Sequence, residues 1–393
     1  MPIAIQEPGG RELVILPPAT TQARLSKAGI DISKGYPFVP KHAPEFVSEV
    51  YEIRKELRQY VDPATRADPQ KRALFGAAKE VRHIGVHLGT EIVGLQLKDL
   101  TNQQRDELAL LVAERSVVFF RDQDISPQQQ RELGVYLGDG EIEIHPNYPQ
   151  VPGLGGGLSL IWPEGHTEGG RSLARLQRNF RLPYGSGVNS PYGWHTDLVH
   201  EAFPPAYTHL HQDAIPEIGG DTLWASGYAA YDKLSPKFRT LIDGLNGIYR
   251  SANAYKDDKD PNGPLKYVTR VHPLVRTNAA TGWKSLFVNR AFTVGIQGLD
   301  KSENLSDAIL NHLLDVYERS TDIQVRWQWT PGTSAIWDNR STIHTVSLDW
   351  EGWNNRHGTR VSSLAEKPYF DPQSQSRRDA LNLGDYLGVP GQA

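Results

Sequence analysis

The sequence of 393 residues contains no cysteine and a single methionine. Without cysteine the chain cannot form a disulfide, an iron–sulfur cluster, a zinc–thiolate site or a cysteine nucleophile. A metal held by the protein must therefore be bound through histidine nitrogen and carboxylate oxygen. The chain has 13 histidines from which such a site could be built.

Long apolar runs and a strong charge of one sign are also missing. No run reaches the roughly 18 apolar residues that a membrane-spanning helix needs. The start of the chain lacks the basic stretch and apolar run of a secretory signal peptide. The formal net charge of −4 argues against a general nucleic-acid binder. We therefore expect a cytoplasmic protein that binds neither nucleic acid nor a membrane, with a homo-oligomer left open.

Short strand-like runs dominate the chain from residue 207 onward, interrupted by helical patterns at 229–245 and 304–320. Two earlier stretches also read as strands, an alternating one at 83–97 and an apolar one at 116–123. The 36 glycines and 27 prolines are spread along the length, which indicates many turns. This pattern predicts an α+β fold in which helices flank an antiparallel β sandwich or barrel.

Three earlier segments carry helix signals. Residues 43–57 form a helical stretch near the start of the chain. Thr101 followed by Gln104 predicts a capping box, in which each side chain bonds the backbone of the other residue. Ser126 followed by Pro127 and Gln129 predicts a second helix start, with proline in its first turn.

The chain is expected to divide into three regions. Residues 1–85 are an N-terminal extension, 86–375 form the main domain, and 376–393 are a C-terminal tail. Within the main domain, residues 149–193 form a long loop-like tract rich in glycine. Because long loops in compact enzymes often cover the active site, this tract is interpreted as an active-site loop.

The segment WHTD (194–197) suggests a metal site. His195 and Asp197 are two residues apart, and on a strand such residues point to the same face. His344, at the end of a later strand-like run, is the candidate third ligand. Two histidines and one carboxylate on one side of an ion leave its other side open, which is typical of non-heme Fe(II) oxygenases.

A second His-x-Asp pair competes with this assignment. His211 and Asp213 alternate with His209 along one strand face and could also bind a metal. His195 is favoured because it follows a glycine-rich segment, where active-site loops usually lie. The remaining candidates are interpreted as core or surface histidines: His272, His312 and His357.

An open Fe(II) site of this kind generally needs a co-substrate, and a 2-oxo acid could chelate the ion. Its far carboxylate then needs a fixed cation, for which the planar fork of arginine is suited. Arg356 and Arg360 are four residues apart, so on a strand they share a face and lie about 13 Å apart. Thr222 could donate a further hydrogen bond to the same carboxylate. Two solvated surface arginines are the alternative interpretation.

Taken together, several stretches resemble a known family. The set comprises VVFFRDQDISPQQQRELG (117–134), IHPNYP (144–149), WHTD (194–197), GGDTLWASGYAAYDKLS (219–235), HPLVRTNAATGWKSLFVNRAFT (272–293) and IQVRWQWTPGTSAIWDNR (323–340). With the arginine pair, they resemble the taurine dioxygenase (TauD/TfdA) family of Fe(II)/2-oxoglutarate-dependent dioxygenases. The resemblance covers most of residues 85–370 and implies a double-stranded β-helix (jelly-roll) core. It also implies Fe(II), 2-oxoglutarate and O₂ as cofactor and co-substrates.

The resemblance implies roles for individual residues. His195, Asp197 and His344 would be the iron ligands, and Thr222 with Arg356 would hold the distal carboxylate of 2-oxoglutarate. The substrate pocket would be lined by His145, Tyr148, Leu198, Tyr255, Phe292 and Arg360, the last of which would meet a sulfonate.

These assignments predict a dioxygenase that oxidises a C–H bond of a small anionic substrate, with a taurine-like sulfonate favoured. Two alternatives stay open. The protein could be a biosynthetic oxygenase that hydroxylates, desaturates or cyclises a small amino acid, in which case Arg360 would hold a carboxylate. It could also be a jelly-roll binding module with a vestigial metal site and no enzymatic activity.

Overall fold

In the computed structural model, the structure is described for residues 4–6, 12–14, 16–33, 35–38, 44–53, 59–144, 149–162, 167–168, 171–172, 193–299, 304–347, 349–350, 356–384 and 386. The helices of this part of the chain are α1 Ala19–Lys27, α2 Val47–Glu52, α3 Arg72–Ala77, α4 Asn102–Arg115, α5 Pro127–Leu137, α6 Gly227–Asp232, α7 Pro236–Ile242, α8 Leu305–Arg319 and α9 Arg377–Ala380. None of these helices is long and apolar enough to cross a membrane.

The strands found in the same residues run from β1 to β19 along the chain. They are β1 Ala4–Gln6, β2 Glu12–Val14, β3 Glu80–His83, β4 Thr90–Val93, β5 Val117–Phe120, β6 Ser159–Ile161, β7 Thr167–Glu168, β8 Arg171–Ser172, β9 Pro205–Ala214, β10 Thr222–Ser226, β11 Asn246–Tyr255, β12 Lys266–Pro273, β13 Val275–Thr277, β14 Lys284–Leu286, β15 Thr293–Ile296, β16 Gln324–Trp327, β17 Thr333–Asp338, β18 Thr342–Val346 and β19 His357–Leu364.

Two sheets form the centre of the described structure. The larger has seven strands in the order β3-β4-β5-β17-β9-β19-β6, antiparallel except for the β4–β5 pair. The smaller has the order β16-β10-β18 and is antiparallel. Helices lie against these sheets, so the architecture is a mixture of helix and sheet, as the sequence pattern predicted.

The apolar run of β5 shows how the layers pack. Val117 and Phe119 point into an apolar cluster between the two sheets, where Phe119 stacks on Trp327 with ring centroids 3.9 Å apart. Val118 and Phe120 point the other way, into a cluster with residues of α4 and α5. Because both faces of β5 are covered, the strand is apolar at every position rather than alternating.

Several local predictions are confirmed. α4 begins at the capping box of Thr101 and Gln104, and α5 begins at the capping box of Ser126 and Gln129. The pattern at 304–320 corresponds to α8, which spans Leu305–Arg319.

Other boundaries differ from the prediction. The stretch 229–245 is two helices, α6 and α7, because Ser235 caps a new helix whose first residue is Pro236. The stretch 83–97 holds the end of β3 and all of β4, which pair antiparallel with a turn between them. The stretch 43–57 contains the shorter helix α2, and the tract 149–193 is not loop throughout, since β6 within it pairs with β19.

Candidate iron and co-substrate site

Three side chains converge at the edge of the smaller sheet. His344 lies on β18, and its backbone forms a bridge with that of His195. The His195 N–H donates to the His344 carbonyl at 3.0 Å, and the His344 N–H donates to the His195 carbonyl at 2.8 Å. Asp197 follows two residues after His195, and one ligand atom from each of the three side chains lies within 4.8 Å of the others. The fold therefore brings the predicted trio together, with Asp197 and His344 buried and His195 partly exposed.

The protonation states suit a divalent metal. Burial lowers the pKa of His195, and lowers that of His344 to about 3, so both imidazoles are neutral at physiological pH and can act as ligands. Nδ1 of His195 donates to the Gly193 carbonyl at 2.8 Å, which directs Nε2 toward Asp197. Burial alone would raise the pKa of Asp197, but the Arg360 guanidinium holds it below its usual value.

A hydrogen-bond network fixes the Asp197 carboxylate. Thr208 of β9 donates its hydroxyl to Oδ2 at 3.0 Å. Asn339 donates to the Thr208 hydroxyl at 2.8 Å and accepts from the Asp197 backbone N–H at 3.3 Å. Trp337 in turn donates to the Asn339 amide oxygen at 3.0 Å. Asp197 is thus held through both its backbone and its side chain, as ligands in metal sites usually are.

Arg360 lies beside the ligand trio. Its Nη1 is 3.0 Å from Oδ1 of Asp197, which places a fixed positive charge next to the candidate metal position. Leu198, the next residue along the chain from Asp197, is buried and has a left-handed φ of 50°. Such a backbone conformation costs a leucine roughly 1–3 kcal/mol, and it is common at functional sites.

Phe292 borders the site on its apolar side. Its ring meets the His195 ring edge-on with centroids 6.3 Å apart, and it meets the His200 ring at 5.3 Å. Val199 belongs to the same apolar cluster as Phe292. Of the predicted wall residues, Phe292 therefore lies beside the trio, and Leu198 is the chain neighbour of Asp197.

The two residues predicted to hold 2-oxoglutarate lie on neighbouring segments. Thr222 begins β10, and its hydroxyl oxygen accepts a hydrogen bond from Nε1 of Trp329 at 3.0 Å. Because the oxygen acts as the acceptor in this bond, the hydroxyl proton can be donated to another group. Arg356 is buried directly before β19. A side chain in place of Gly220, two residues before Thr222, would touch Nε of Arg356. The backbone that leads into Thr222 therefore passes close to the arginine.

Other predicted pocket residues are not placed at the trio. Tyr255 packs in a separate apolar cluster with Val50 and Val268. His145 and Tyr148 lie outside the described residues.

The competing histidine set occupies the interior of the larger sheet. His209 and His211 both hydrogen-bond the Ser334 hydroxyl at 3.0 Å, and Asp213 pairs with Arg24 at 3.2 Å. Among the described residues, the group with metal-binding geometry is His195, Asp197 and His344. The alternating pair on β9 is therefore part of a buried hydrogen-bond network.

The sequence of this chain is similar to those of known dioxygenases. The model of the taurine catabolism dioxygenase TauD, TfdA family matches residues 80–362. An alpha-ketoglutarate-dependent sulfonate dioxygenase of Saccharomyces cerevisiae is 37% identical over 327 residues, 80% of this chain and 75% of the relative. This chain belongs to the TauD/TfdA family. Membership makes the protein a dioxygenase that uses Fe(II), 2-oxoglutarate and O₂, as the sequence analysis predicted.

Two further similar proteins each cover about three quarters of this chain. An alpha-ketoglutarate-dependent sulfate ester dioxygenase of Pseudomonas putida is 30% identical over 306 residues, 74% of this chain and 90% of the relative. The crystal structure of a taurine dioxygenase from Burkholderia xenovorans superposes with a TM-score of 0.60 at 27% identity, and covers 75% of this chain and 92% of that one. The fold is therefore that of the taurine dioxygenases.

Sequence reasoning missed the residues that hold Asp197. Thr208 is an ordinary strand threonine in the sequence, and Asn339 lies in the segment WDNR, which was noted only as part of the family resemblance. The one available signal was that WDNR directly precedes the strand of His344. A polar residue next to a ligand strand is a candidate support for the ligands.

Proposed function

We propose that this protein oxidises a C–H bond of a small anionic substrate in a reaction that consumes 2-oxoglutarate and O₂, with a sulfonate as the favoured substrate class. One observation carries the proposal: the Arg360 guanidinium lies 3.0 Å from Asp197, in the group with metal-binding geometry. A substrate anion bound by Arg360 would be held beside the metal. The yeast relative is named a sulfonate dioxygenase and the Pseudomonas relative a sulfate ester dioxygenase, and both names support this class.

His195, Asp197 and His344 are the proposed iron ligands. Two neutral imidazoles and one ionised carboxylate fit Fe(II), and a set of this kind leaves positions open for other ligands. When bound, the iron supplies the redox chemistry that activates O₂ with electrons from the co-substrate. The chain contributes rigidity, since Thr208 and Asn339 keep the carboxylate in one orientation.

Thr222 and Arg356 are the proposed grip on the distal carboxylate of 2-oxoglutarate. Arg356 can form two parallel hydrogen bonds with a carboxylate, and Thr222 can add a third from its hydroxyl. The buried setting of both residues excludes water, which strengthens such charged contacts.

Arg360, Leu198 and Phe292 are the proposed substrate contacts within the described residues. Arg360 would bind the anionic group, while Leu198 and Phe292 would cover the apolar part of a small substrate. His145, Tyr148 and Tyr255 remain predicted pocket residues.

The arrangement of the two sheets supports a further proposal about the core of the fold. The facing sheets suit a double-stranded β-helix core, with β16-β10-β18 packed on β5, β17 and β9 across the cluster that contains Phe119 and Trp224. Residues 86–375 are proposed as the catalytic domain, between an extension at 1–85 and a tail at 376–393. A cytoplasmic location and a homo-oligomeric state remain predictions.

The deciding experiment measures succinate formed from 2-oxoglutarate in the presence of Fe(II), O₂ and a panel of sulfonates, sulfate esters and amino acids. We expect turnover with sulfonates and release of sulfite. Turnover with amino acids alone would support the biosynthetic alternative. A protein that forms no succinate with any compound, and no coloured complex with anaerobic Fe(II) and 2-oxoglutarate, would be a binding module.

A pair of variants tests the ligand assignment. His344→Ala should abolish binding of Fe(II), while His211→Ala should retain it, since His211 belongs to the network around Ser334. The opposite pattern would show that the metal binds to the histidines of β9 instead. For the anion role, Arg360→Ala should raise the KM of the substrate more than that of 2-oxoglutarate, and equal increases would count against it.

A further inference from the structure

Residues that precede the family match, which begins at residue 80, contact side chains of β19. Arg24 of α1 hydrogen-bonds the Ile125 carbonyl at 2.8 Å, the Thr359 hydroxyl at 2.9 Å and the Gln130 amide oxygen at 3.0 Å, and it pairs with Asp213. Its side chain is 12% exposed, so these contacts are largely shielded from water.

Tyr36, from the same N-terminal segment, completes the network. Its hydroxyl lies 2.8 Å from Nε2 of His357, whose Nδ1 lies 3.1 Å from Asp213. The ring of Tyr36 also packs 5.8 Å from that of Trp162. Arg24, Asp213, His357 and Tyr36 therefore form one continuous polar chain across β9 and β19.

The backbone joins the same segment to β19. Phe38 and Gln150 exchange N–H to O hydrogen bonds at 3.0 and 2.9 Å. Gln150 forms a bridge with Ser159 of β6, and Ser159 pairs with Arg360 of β19. A ladder of main-chain pairs thus runs from the N-terminal segment to the proposed substrate arginine.

Strand alternation connects this network to the site. His357 and Thr359 point toward the N-terminal segment, while Arg360 points to Asp197 and Ser362 to Thr208. The pairing of β9 with β19 shifts by one residue so that Asp213 is the extra residue of a bulge. Bulges redirect side chains, and this one presents Asp213 to both Arg24 and His357.

We propose that residues 16–33 and 35–38, here called the N-terminal brace, are a positioning element for the catalytic centre. The brace fixes the back of β19 so that Arg356 and Arg360 meet the anionic groups of the co-substrate and the substrate. A buried polar network in which each member has partners favours one arrangement over all others, which is what a positioning element requires. The inference rests on the proposed roles of the two arginines.

The test compares Tyr36→Phe with a matched control. Tyr36→Phe removes one buried hydroxyl behind β19, and Tyr231→Phe removes one that hydrogen-bonds Asp243 at 2.9 Å, among residues that take no part in the site. Binding of N-oxalylglycine, an analogue of 2-oxoglutarate, is measured by calorimetry on the full chain saturated with Mn(II). Thermal unfolding is recorded alongside.

We expect Tyr36→Phe to weaken N-oxalylglycine binding about tenfold, in line with other supports of ligand-binding side chains, and Tyr231→Phe to change it less than about twofold. A second variant, Arg24→Met combined with Asp213→Asn, removes the ion pair without leaving one charge behind and should weaken binding at least as much. If that variant does not fold, the N-oxalylglycine affinity of Tyr36→Phe alone decides the test.

The outcomes separate this inference from the proposed function. If Tyr36→Phe lowers the unfolding temperature but binds N-oxalylglycine as the wild type does, the brace only stabilises the fold and the inference is wrong. If the wild type itself does not bind N-oxalylglycine with Mn(II), the proposed function is wrong, and the inference falls with it.

Discussion

Thr208→Val tests whether a single hydroxyl keeps Asp197 in the orientation that metal binding needs. The Thr208 hydroxyl donates to Oδ2 of Asp197 at 3.0 Å, and both side chains are buried. A hydrogen bond to a charged group contributes about 1.5–3 kcal/mol. Since about 1.4 kcal/mol corresponds to a tenfold change in affinity, its loss should weaken metal binding about 10- to 100-fold. Valine has nearly the same shape, so the carboxylate loses its donor without a cavity being formed.

The assay titrates the protein with Mn(II), which replaces Fe(II) without being oxidised by O₂, and follows free Mn(II) by electron paramagnetic resonance. Thr333→Val is the matched control, because Thr333 is also a buried strand threonine but its hydroxyl pairs with Thr330 at 2.8 Å. We expect the control to bind Mn(II) within about twofold of wild type. Equal Mn(II) affinity in Thr208→Val and wild type, or an equal loss in the control, would refute the reasoning.

Two further predictions concern stability. Arg340→Met should destabilise the fold by about 3–5 kcal/mol, because the fully buried Arg340 pairs with Asp338 at 2.9 Å and Asp62 at 2.6 Å, and both carboxylates would lose their cation. Asp62→Asn keeps the pair with Asp338 and should cost about 1.5–3 kcal/mol, so calorimetry that ranks Asp62→Asn as the less stable variant would contradict this account. Burial lowers the pKa of His272 to about 4. Because the unfolded chain takes up that proton first, near its ordinary pKa of about 6.5, stability should fall by about 2 kcal/mol from pH 7.5 to pH 5. In His272→Gln this decline should shrink by that amount in urea unfolding, and an unchanged decline would show that another group is responsible.

Local features were the most predictable part of the fold. The capping boxes at Thr101 and Ser126 involve residues three apart, so their physics is contained in a few letters of sequence. The closeness of His195 and Asp197 was also predicted from their spacing of two, although Asp197 begins a turn directly after the bridge of His195 instead of continuing a strand. The third partner, His344, came from a pattern and a family resemblance, because nothing in local chemistry states which distant strand will be its neighbour.

Long-range polar partners could not be predicted from the sequence. Arg24 and Asp213 are 189 residues apart, and Arg340 and Asp62 are 278 residues apart. No local pattern in the sequence marks these residues as partners of one another, and a charge is buried only where a partner of opposite sign compensates its loss of hydration. Such pairs therefore depend on the completed topology. For the same reason, a segment that looked like a mere extension turned out to supply two of the charges buried in the core.

Arg360 links the parts of the site that the sequence treats separately. In the sequence it is one of two arginines with a spacing that predicts anion binding, and Asp197 is a predicted metal ligand in another motif. In the structure the guanidinium contacts the carboxylate directly, and it holds the pKa of that carboxyl below its usual value against the opposing effect of burial. One guanidinium spans only a few ångströms, so an anion that it binds must lie beside the metal ligand. The C–H bond that is oxidised should then lie close to the anionic group of the proposed substrate.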